Sequence, residues 1–319
     1  MAAKFYQESE VAQLLEMPAT IEVVEECFKQ LALGNAENVP RRRSRTQGFV
    51  LHDMSATAGY LGVSGWKQYT TTKEKARFLV GLYDCASGEL LAIFEADQLG
   101  QFRTGASTGV ASRYLAAGGI HQVGLIGTGW QAETQLTALA AVHSLRQVFV
   151  YSRDIDKRTS FAEKMADSLG IEVIPVHEPR KAVEDLPVVV TATTSKTPVL
   201  EGNWLAEGAL VCAAGANWLF KAEIDQDTIL RADNIVCDSI EACRLEAGDF
   251  VAADEANRFD WDKLVTLGSV IAGQKVGRDN AQSIVLYESL GLSLQDVALA
   301  DWLLKKAKGR PDLGTDLPF

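Results

Sequence analysis

The stretch from residue 123 to residue 132, Val-Gly-Leu-Ile-Gly-Thr-Gly-Trp-Gln-Ala, constrains the fold more than any other part of this chain. It predicts a short buried strand, a turn that holds two glycines, and the start of a helix. In such a unit the backbone N–H groups at the helix N-terminus hold the diphosphate of a nucleotide. Gly127 permits the tight turn, Gly129 lets phosphates approach the backbone, and Ala132 allows close helix–strand packing. We therefore predict a dinucleotide site, and a strand–turn–helix unit without a ligand is the alternative.

A second candidate segment for the same ligand ends another predicted strand. Ligands of parallel sheets lie beyond the carboxyl ends of the strands, so the segment 190–195 can line the nicotinamide ribose. A polar strand end with no ligand fits these residues equally well. The cofactor-binding candidates from both segments are Gly127, Thr128, Gly129, Trp130, Gln131, Thr191, Ala192 and Thr193.

The residues after the next strand bear on which dinucleotide is bound. An Asp or Glu about 20 residues after the glycines usually binds the ribose 2′-hydroxyl of NAD. Here Ser152 stands 20 residues after Ala132 and is followed by Arg153. A hydroxyl and a guanidinium suit a 2′-phosphate, so we expect NADP(H) to be preferred. NAD(H) stays possible because Asp154 comes one residue later.

The order of predicted elements changes once along the chain. Two helices are predicted first: one is capped by Ser9 and ends near Met17, and the other runs from Pro18 to Gly34. Predicted strands follow at 49–54, 60–70, 78–83 and 90–94. Such a run of neighbouring strands indicates a mostly antiparallel sheet. From 118 onward strands alternate with helices, the pattern of a doubly wound parallel sheet. The predicted strands are 123–126, 148–151, 172–176, 188–192, 210–214 and 234–237, and the predicted helices are 131–143, 155–169 and 179–184. A last helix is predicted at 294–307. The predicted α/β fold is thus a Rossmann-type doubly wound NAD(P)-binding domain over 118–284, inserted in a mixed α+β domain formed by 1–117 and 285–319.

Charge and composition exclude several classes of protein. The net charge of −11 argues against a nucleic-acid partner, because phosphate backbones require clustered Lys and Arg. We see no membrane-spanning apolar stretch and no signal-peptide pattern, and the five cysteines and four histidines show no metal-ligand spacing. We expect a cytoplasmic protein with no membrane partner and no metal. The basic run Arg41-Arg42-Arg43-Ser44-Arg45 is either a solvated loop or a local anion site.

Two charged residues are candidates for a substrate site. Lys67 shares its alternation phase with Val63, Gly65 and Tyr69, so it can point inward, where burial would lower its pKa. An exposed strand lysine is the alternative. Arg103 precedes Thr104-Gly105-Ala106-Ser107, where we expect a helix to begin; free N–H groups there together with the guanidinium would bind a carboxylate. We add Thr104 to the cofactor-binding candidates.

These segments resemble the ornithine cyclodeaminase/mu-crystallin family, which includes alanine dehydrogenase-like and ketimine reductase members. The resemblance runs nearly end to end. The segments that carry it are Trp66-Lys67-Gln68-Tyr69-Thr70, Arg103-Thr104-Gly105-Ala106-Ser107, Ile126-Gly127-Thr128-Gly129-Trp130-Gln131-Ala132, Ala214-Gly215-Ala216-Asn217, Glu223-Ile224-Asp225, Asp238-Ser239, and Ser289-Leu290-Gly291 with Asp296.

The resemblance implies roles for particular residues. Arg103 and an arginine of the basic run, for which we choose Arg42, would bind the carboxylate of a small α-amino or α-imino acid. Lys67 would assist proton transfer. The first domain, 1–117 with 285–319, would supply the substrate pocket and form a homodimer interface.

One position departs from the family pattern. Cyclodeaminases of the family carry an acid/base Asp where this chain has Asn217. An amide can orient a water or an amine but cannot act as the base. We therefore expect an NAD(P)H-dependent oxidoreductase of the C–N bond, either an imine reductase or an amino-acid dehydrogenase. The alternatives are an ornithine cyclodeaminase with tightly bound NAD, which forms proline and ammonia, and a non-catalytic crystallin-like binding protein.

Overall fold

A computed structural model describes residues 2–318, and this part of the chain forms fifteen strands and ten α-helices. The strands are β1 (Lys4–Tyr6), β2 (Glu37–Thr46), β3 (Phe49–Ala58), β4 (Val63–Thr71), β5 (Ala76–Asp84), β6 (Leu90–Glu95), β7 (Gln122–Ile126), β8 (Gln147–Tyr151), β9 (Glu172–Pro175), β10 (Val188–Thr191), β11 (Leu210–Ala213), β12 (Asn234–Cys237), β13 (Leu264–Thr266), β14 (Val285–Glu288) and β15 (Thr315–Asp316). The helices are α1 (Glu8–Leu14), α2 (Met17–Ala32), α3 (Asp97–Leu115), α4 (Trp130–Val142), α5 (Ile155–Leu169), α6 (Gln226–Arg231), α7 (Ile240–Glu246), α8 (Gly248–Glu255), α9 (Leu267–Ile271) and α10 (Ser293–Ala307).

The chain divides into two compact units. The first contains residues 1–103 and 291–319, and the second contains residues 104–290. The predicted division at 117/118 and 284/285 follows the same plan, with one stretch of chain inserted into another. The function assigned to each domain stays a prediction.

The first unit is built on a seven-stranded sheet in the order β15-β1-β6-β5-β4-β3-β2. Strands β2 to β6 pair antiparallel in sequence order, and β1 adds parallel to β6. This confirms the predicted, mostly antiparallel sheet. One face of the sheet buries Val80 and Phe94 in the same core cluster as Leu299 and Leu303 of α10. Each fully buried side chain of this kind stabilises the fold by roughly 1.5–3 kcal/mol.

Three boundaries in the first unit differ from prediction. Ser9 lies inside α1 because the helix begins at Glu8, and the backbone N–H of Gln7 donates to Glu10 Oε2 at 2.8 Å. The basic run, for which a solvated loop was one of two interpretations, is part of β2. The predicted strand at 60–70 starts later, since residues 59–61 form a 3₁₀ turn that ends on Gly62 with φ +73°.

The start of α3 corrects the predicted surroundings of Arg103. This helix begins at Asp97, so Arg103 lies six residues inside it and has no free helix N-terminus beside it. The N-terminus is occupied by the carboxylate of Glu8, which accepts the backbone N–H groups of Asp97 (2.9 Å) and Gln98 (2.7 Å). A distant side chain thus replaces the local cap that the sequence lacks.

The second unit is built on an eight-stranded sheet whose strands all run parallel, in the order β13-β12-β14-β11-β10-β7-β8-β9. The order reverses at β7, which pairs with β8 on one side and β10 on the other. Such a reversal opens a crevice beyond the carboxyl ends of the two strands, where ligands of this fold bind. The predicted Rossmann-type α/β fold is confirmed.

Two strands of this sheet were not predicted from the sequence. β13 is short, and β14 lies between β11 and β12 although it falls outside the predicted limits 118–284. Helices α6 to α9 were also missed, because each is eight residues or fewer and has too few turns to show a helical period. The predicted helix at 179–184 is a 3₁₀ turn, Pro179–Ala182.

Within residues 2–318 no helix combines the length and the apolar character needed to cross a membrane.

Candidate active site

Lys67 lies in β4 and points to the buried face of the sheet, as its alternation phase predicts. Its side chain is 2% exposed. Helix α3 passes so close that a Cβ built on Gly100 would lie 2.9 Å from Lys67 Nζ. A glycine at this position therefore makes room for the ammonium group.

The Lys67 ammonium and the Arg103 guanidinium share one carboxylate oxygen. Asp296 Oδ1, in the first turn of α10, lies 2.7 Å from Lys67 Nζ and 3.2 Å from Arg103 Nε. Arg103 Nη1 also donates to Gln295 Oε1 at 3.3 Å. A Cβ on Gly291, whose φ is +85°, would lie 2.4 Å from Arg103 Nη1, so this glycine makes room for the guanidinium. The three charged groups form one buried cluster, which we call the Lys67–Asp296–Arg103 triad.

Burial sets the proton affinity of the lysine. It lowers the pKa of Lys67 to about 8, against the opposing effect of Asp296, and the charges of Arg103 and Arg41 lower it further. An amine with this pKa exchanges protons readily near neutral pH. The ammonium also lies 5.4 Å from the centre of the Phe78 ring, which provides an apolar wall beside it.

The basic run presents its arginines to different faces of β2. The register between β2 and β3 shifts between Val39 and Arg42, a bulge that turns Arg41 toward the buried face. Arg41 is 6% exposed, whereas Arg42 pairs in register with Asp53 and is exposed. The charge of the buried Arg41 contributes to the lowered pKa of Lys67.

The glycine turn of the second unit has the predicted conformation. Gly127 has φ +115°, and a Cβ there would lie 2.3 Å from the Ala192 carbonyl oxygen, so no other residue fits without strain. Gly129 is the N-cap of α4, and nothing lies within 4 Å of where its Cβ would stand. Ala132 is fully buried, as close helix packing requires. The buried Gln131 Oε1 has no hydrogen-bond partner among residues 2–318. An open helix N-terminus above a glycine fits a bound dinucleotide.

A cavity of about 270 Å³ opens beside this turn. It is lined by Ile126, Gly127, Thr128, Gly129, Tyr151, Ser152, Arg153, Asp154, Lys157, Ala192, Thr193, Thr194, Ser195 and Val199. The wall after β8 is ordered by hydrogen bonds: Thr128 Oγ1 donates to Ser152 Oγ (2.9 Å), which donates to the Asp154 carbonyl (3.2 Å). The Asp154 carboxylate caps α5 by accepting the Lys157 N–H at 3.1 Å.

Three predicted cofactor residues and Asn217, a predicted catalytic residue, lie outside this lining. The Thr191 hydroxyl is fully buried and donates to Glu223 Oε2 at 3.0 Å. Thr104 lies within α3, and its carbonyl accepts from Gln135 Nε2 at 3.4 Å. Trp130 is 44% exposed at the start of α4. Asn217 is partly buried in the loop after β11. The lining residues of the cavity do not include these four or Gln131.

Sequence reasoning assigned no role to two buried acids, Asp296 and Glu223. Both belong to segments that carry the family resemblance. Asp296 is the only charged residue in the first turn of α10, and the residues around it are all buried. A carboxylate in such a stretch signals a buried cationic partner, which only the fold identifies. Among residues 2–318 no group of three or more His, Cys, Asp or Glu side chains is arranged to hold a metal ion.

A sequence model described as the ornithine cyclodeaminase/mu-crystallin family matches residues 1–310. The chain belongs to this family. The match confirms the resemblance and spans both units.

Similar proteins include reductases and dehydrogenases, and the structure of a probable ornithine cyclodeaminase from Bordetella pertussis is also similar. A Delta(1)-pyrroline-2-carboxylate reductase from Bacillus cereus is 33% identical over 236 residues, which cover 74% of this chain and 72% of that protein. The structure of the Thermococcus litoralis Delta(1)-pyrroline-2-carboxylate reductase in complex with NADH and L-proline has a TM-score of 0.94 at 29% identity and covers 99% of this chain and 100% of that one. The structure of an archaeal alanine dehydrogenase dimer with bound NAD also has a TM-score of 0.94, at 30% identity with both chains fully covered.

Proposed function

We propose that this protein is an NAD(P)H-dependent oxidoreductase that acts on the C–N bond of α-amino and α-imino acids, as an imine reductase or an amino-acid dehydrogenase. The observation that carries the proposal is the Lys67–Asp296–Arg103 triad. A guanidinium that can bind a carboxylate stands beside an amine that can release a proton near neutral pH. This combination suits a substrate whose α-carbon bears both a carboxylate and a nitrogen. The reductase and dehydrogenase relatives support the same reaction class.

The substrate carboxylate would be bound by arginine. Arg103 has five N–H donors, of which Nε and one N–H of Nη1 are directed to Asp296 and Gln295. We assign the Nη2 group to a substrate oxygen. We assign the second carboxylate contact to Arg41 instead of Arg42, because Arg41 is the buried arginine whose charge acts on Lys67. Such anchoring fixes the α-carbon and lowers the entropic cost of a bimolecular step.

Lys67 would handle the proton of the reaction. In the reductive direction the imine nitrogen takes a proton from the Lys67 ammonium while the carbon takes a hydride, and the oxidation reverses both transfers. The bound nicotinamide supplies or accepts that hydride. Because burial brings the pKa of Lys67 to about 8, the amine form and the ammonium form are both populated near neutral pH.

The cavity beside the glycine turn would hold the dinucleotide. Gly127, Gly129 and the N-terminus of α4 suit the diphosphate, and Ala192 and Thr193 suit the nicotinamide ribose. We propose a preference for NADP(H), since Ser152, Arg153 and Lys157 can bind a 2′-phosphate there. The Asp154 carboxylate is directed to the N-terminus of α5 and to Lys157 Nζ at 3.6 Å, so it competes little for the ribose.

Asn217 distinguishes the proposed redox reaction from a cyclodeaminase reaction that also closes a ring. An amide cannot accept a proton at neutral pH, so Asn217 would orient a water or an amine. We therefore favour a reaction that ends after the redox step over the conversion of ornithine to proline.

The proposal includes a cytoplasmic homodimer. The sheet face of the first unit that points away from α10 exposes Val39, Phe49, Leu79 and Tyr83, each more than a third exposed. Exposed large apolar side chains on one face suit association with a second copy, and the archaeal alanine dehydrogenase is a dimer.

Turnover measurements test this function. We expect NADPH or NADH to be consumed with cyclic imino acids, or with keto acids mixed with amines, and the Lys67→Met variant to lose about 10²–10⁴-fold in turnover with nearly unchanged cofactor affinity. The matched control is Lys73→Met, an exposed lysine just after the same strand. Proline and ammonia from ornithine without net cofactor change would favour the cyclodeaminase alternative, and a fully active Lys67→Met variant would remove the lysine from the reaction.

A further inference from the structure

The Glu223 side chain holds two other segments of the second unit through three hydrogen bonds, although it does not line the cavity. Its side chain is fully buried. Glu223 Oε1 accepts the backbone N–H of Thr193 at 2.5 Å, and Oε2 accepts the N–H of Gly215 at 2.7 Å and the Thr191 hydroxyl at 3.0 Å. The segments that it holds follow β10 and β11, the neighbouring strands on one side of β7.

The fit around this carboxylate is tight. A Cβ on Gly215 would lie 2.6 Å from both Glu223 oxygens and 2.4 Å from the Thr193 carbonyl oxygen. The backbone of Glu223 is fixed as well, because Asp249 Oδ1 on α8 accepts the backbone N–H groups of Glu223 (2.6 Å) and Ile224 (3.0 Å). The contacts run from α8 through Glu223 to Thr193, which lines the cavity.

We propose that Glu223 is a positioning residue for the dinucleotide: its carboxylate fixes the 192–195 loop and the Gly215 segment in the conformation that receives the cofactor. This role rests on the proposed function. It assigns to the segments after β10 and β11 a common anchor that does not touch the ligand.

The acidic neighbours of Glu223 influence its pKa, so the proposed role can be tested by the pH dependence of cofactor binding. Burial raises the pKa of Glu223 to about 7, with a further contribution from Asp249. Glu288 at the end of β14 and Asp238 after β12 belong to the same acidic surroundings, and burial raises the pKa of Glu288 well above its ordinary value. Protonation of Glu223 converts an acceptor of three donors into a partial donor. We therefore expect cofactor affinity to fall as the pH drops below about 7.

The test measures NADH binding by fluorescence without substrate, between pH 6 and pH 8.5. NADH is the probe because the 2′-phosphate of NADPH itself titrates near pH 6. In Glu223→Gln an amide NH₂ must face at least one of the three donors, so we expect the dissociation constant at pH 8 to rise about tenfold and its pH dependence to disappear. The matched control is Glu255→Gln, an exposed acid on α8, which should behave as the unaltered protein.

A second variant covers the case in which Glu223→Gln does not fold. Thr191→Val removes one donor to the carboxylate, which should raise the midpoint of the pH dependence. A folded Glu223→Gln variant with unchanged NADH affinity and unchanged pH dependence would overturn the role of Glu223 alone. So would an unchanged midpoint in Thr191→Val. If the unaltered protein binds neither NADH nor NADPH, the proposed function fails, and the role of Glu223 fails with it.

Discussion

Replacing Asp296 by Asn tests the electrostatics of the triad most directly. The carboxylate is fully buried, and one of its oxygens serves both Lys67 Nζ and Arg103 Nε. The other oxygen has no hydrogen-bond partner among residues 2–318. Asparagine keeps the shape and one acceptor but removes the only negative charge of the triad. Two buried cations then face each other without compensation.

The magnitude follows from the burial of the pair. Breaking a buried ion pair by removing one partner typically costs about 3–5 kcal/mol, because the remaining charge stays desolvated. We expect the free energy of unfolding to fall by that order. Asp296 raises the pKa of Lys67, so its loss moves that pKa further below about 8. If the Lys67 ammonium is the proton donor in imine reduction, the alkaline limb of the pH–rate profile must move to lower pH.

The assay is the pH dependence of kcat/KM for imine reduction from pH 6 to pH 10, together with urea unfolding. The matched control is Asp301→Asn, on the same helix, whose partner Lys305 has a side chain 55% exposed. A pair with one such exposed partner contributes at most about 1 kcal/mol. An alkaline limb that stays in place in Asp296→Asn would refute the assignment of that limb to Lys67.

Three further perturbations follow from the same structure. Gly100→Ala places a Cβ 2.9 Å from Lys67 Nζ, so we expect kcat to fall by about 10²-fold while unfolding by urea shows a loss of only about 1–3 kcal/mol. Arg153→Ala should weaken NADPH binding roughly tenfold and leave NADH binding nearly unchanged in fluorescence titrations, and an equal loss for both would contradict 2′-phosphate recognition. Burial raises the pKa of Glu223 to about 7 and that of Asp249 to about 6, so both bind protons more tightly in the folded state than in the unfolded state. The contribution of these two groups to the free energy of unfolding should therefore fall by on the order of 5 kcal/mol as the pH rises from about 4 to about 7, and it should fall less in Glu223→Gln.

The fold was predictable where the sequence pattern is local and repeated. The strand, turn and helix from 122 to 142 each carry a periodic signal and a glycine whose conformation is required, so the sequence identifies them. β14 has no such signal. It is a four-residue strand, fully buried on both faces, and such a run cannot be told from a buried helical turn by its period.

The site was predictable in its residue types but not in its geometry. Alternation in β4 gave the inward direction of Lys67, because nothing interrupts the pairing of that strand. In β2 a bulge reverses the alternation, so Arg41 points inward where we chose Arg42. The N-terminus of α3 is capped by Glu8, far away in sequence, and this hid the true start of the helix that carries Arg103. A local bulge decided the first difference, and a contact between residues far apart in the sequence decided the second.

The charge balance of the triad leads to one more prediction. Lys67 and Arg103 carry two positive charges against the single negative charge of Asp296, so the cluster lacks one negative charge. A substrate carboxylate at Arg103 would supply it and would favour the ammonium form of Lys67, because an opposite charge nearby raises the pKa of an amine. Since the pH profile of kcat reports the enzyme–substrate complex and that of kcat/KM reports the free enzyme, the alkaline limb of kcat should lie at higher pH than that of kcat/KM. Coinciding limbs would mean that the carboxylate binds too far from Lys67 to act on its proton, and the substrate would then have to be anchored elsewhere than at Arg103.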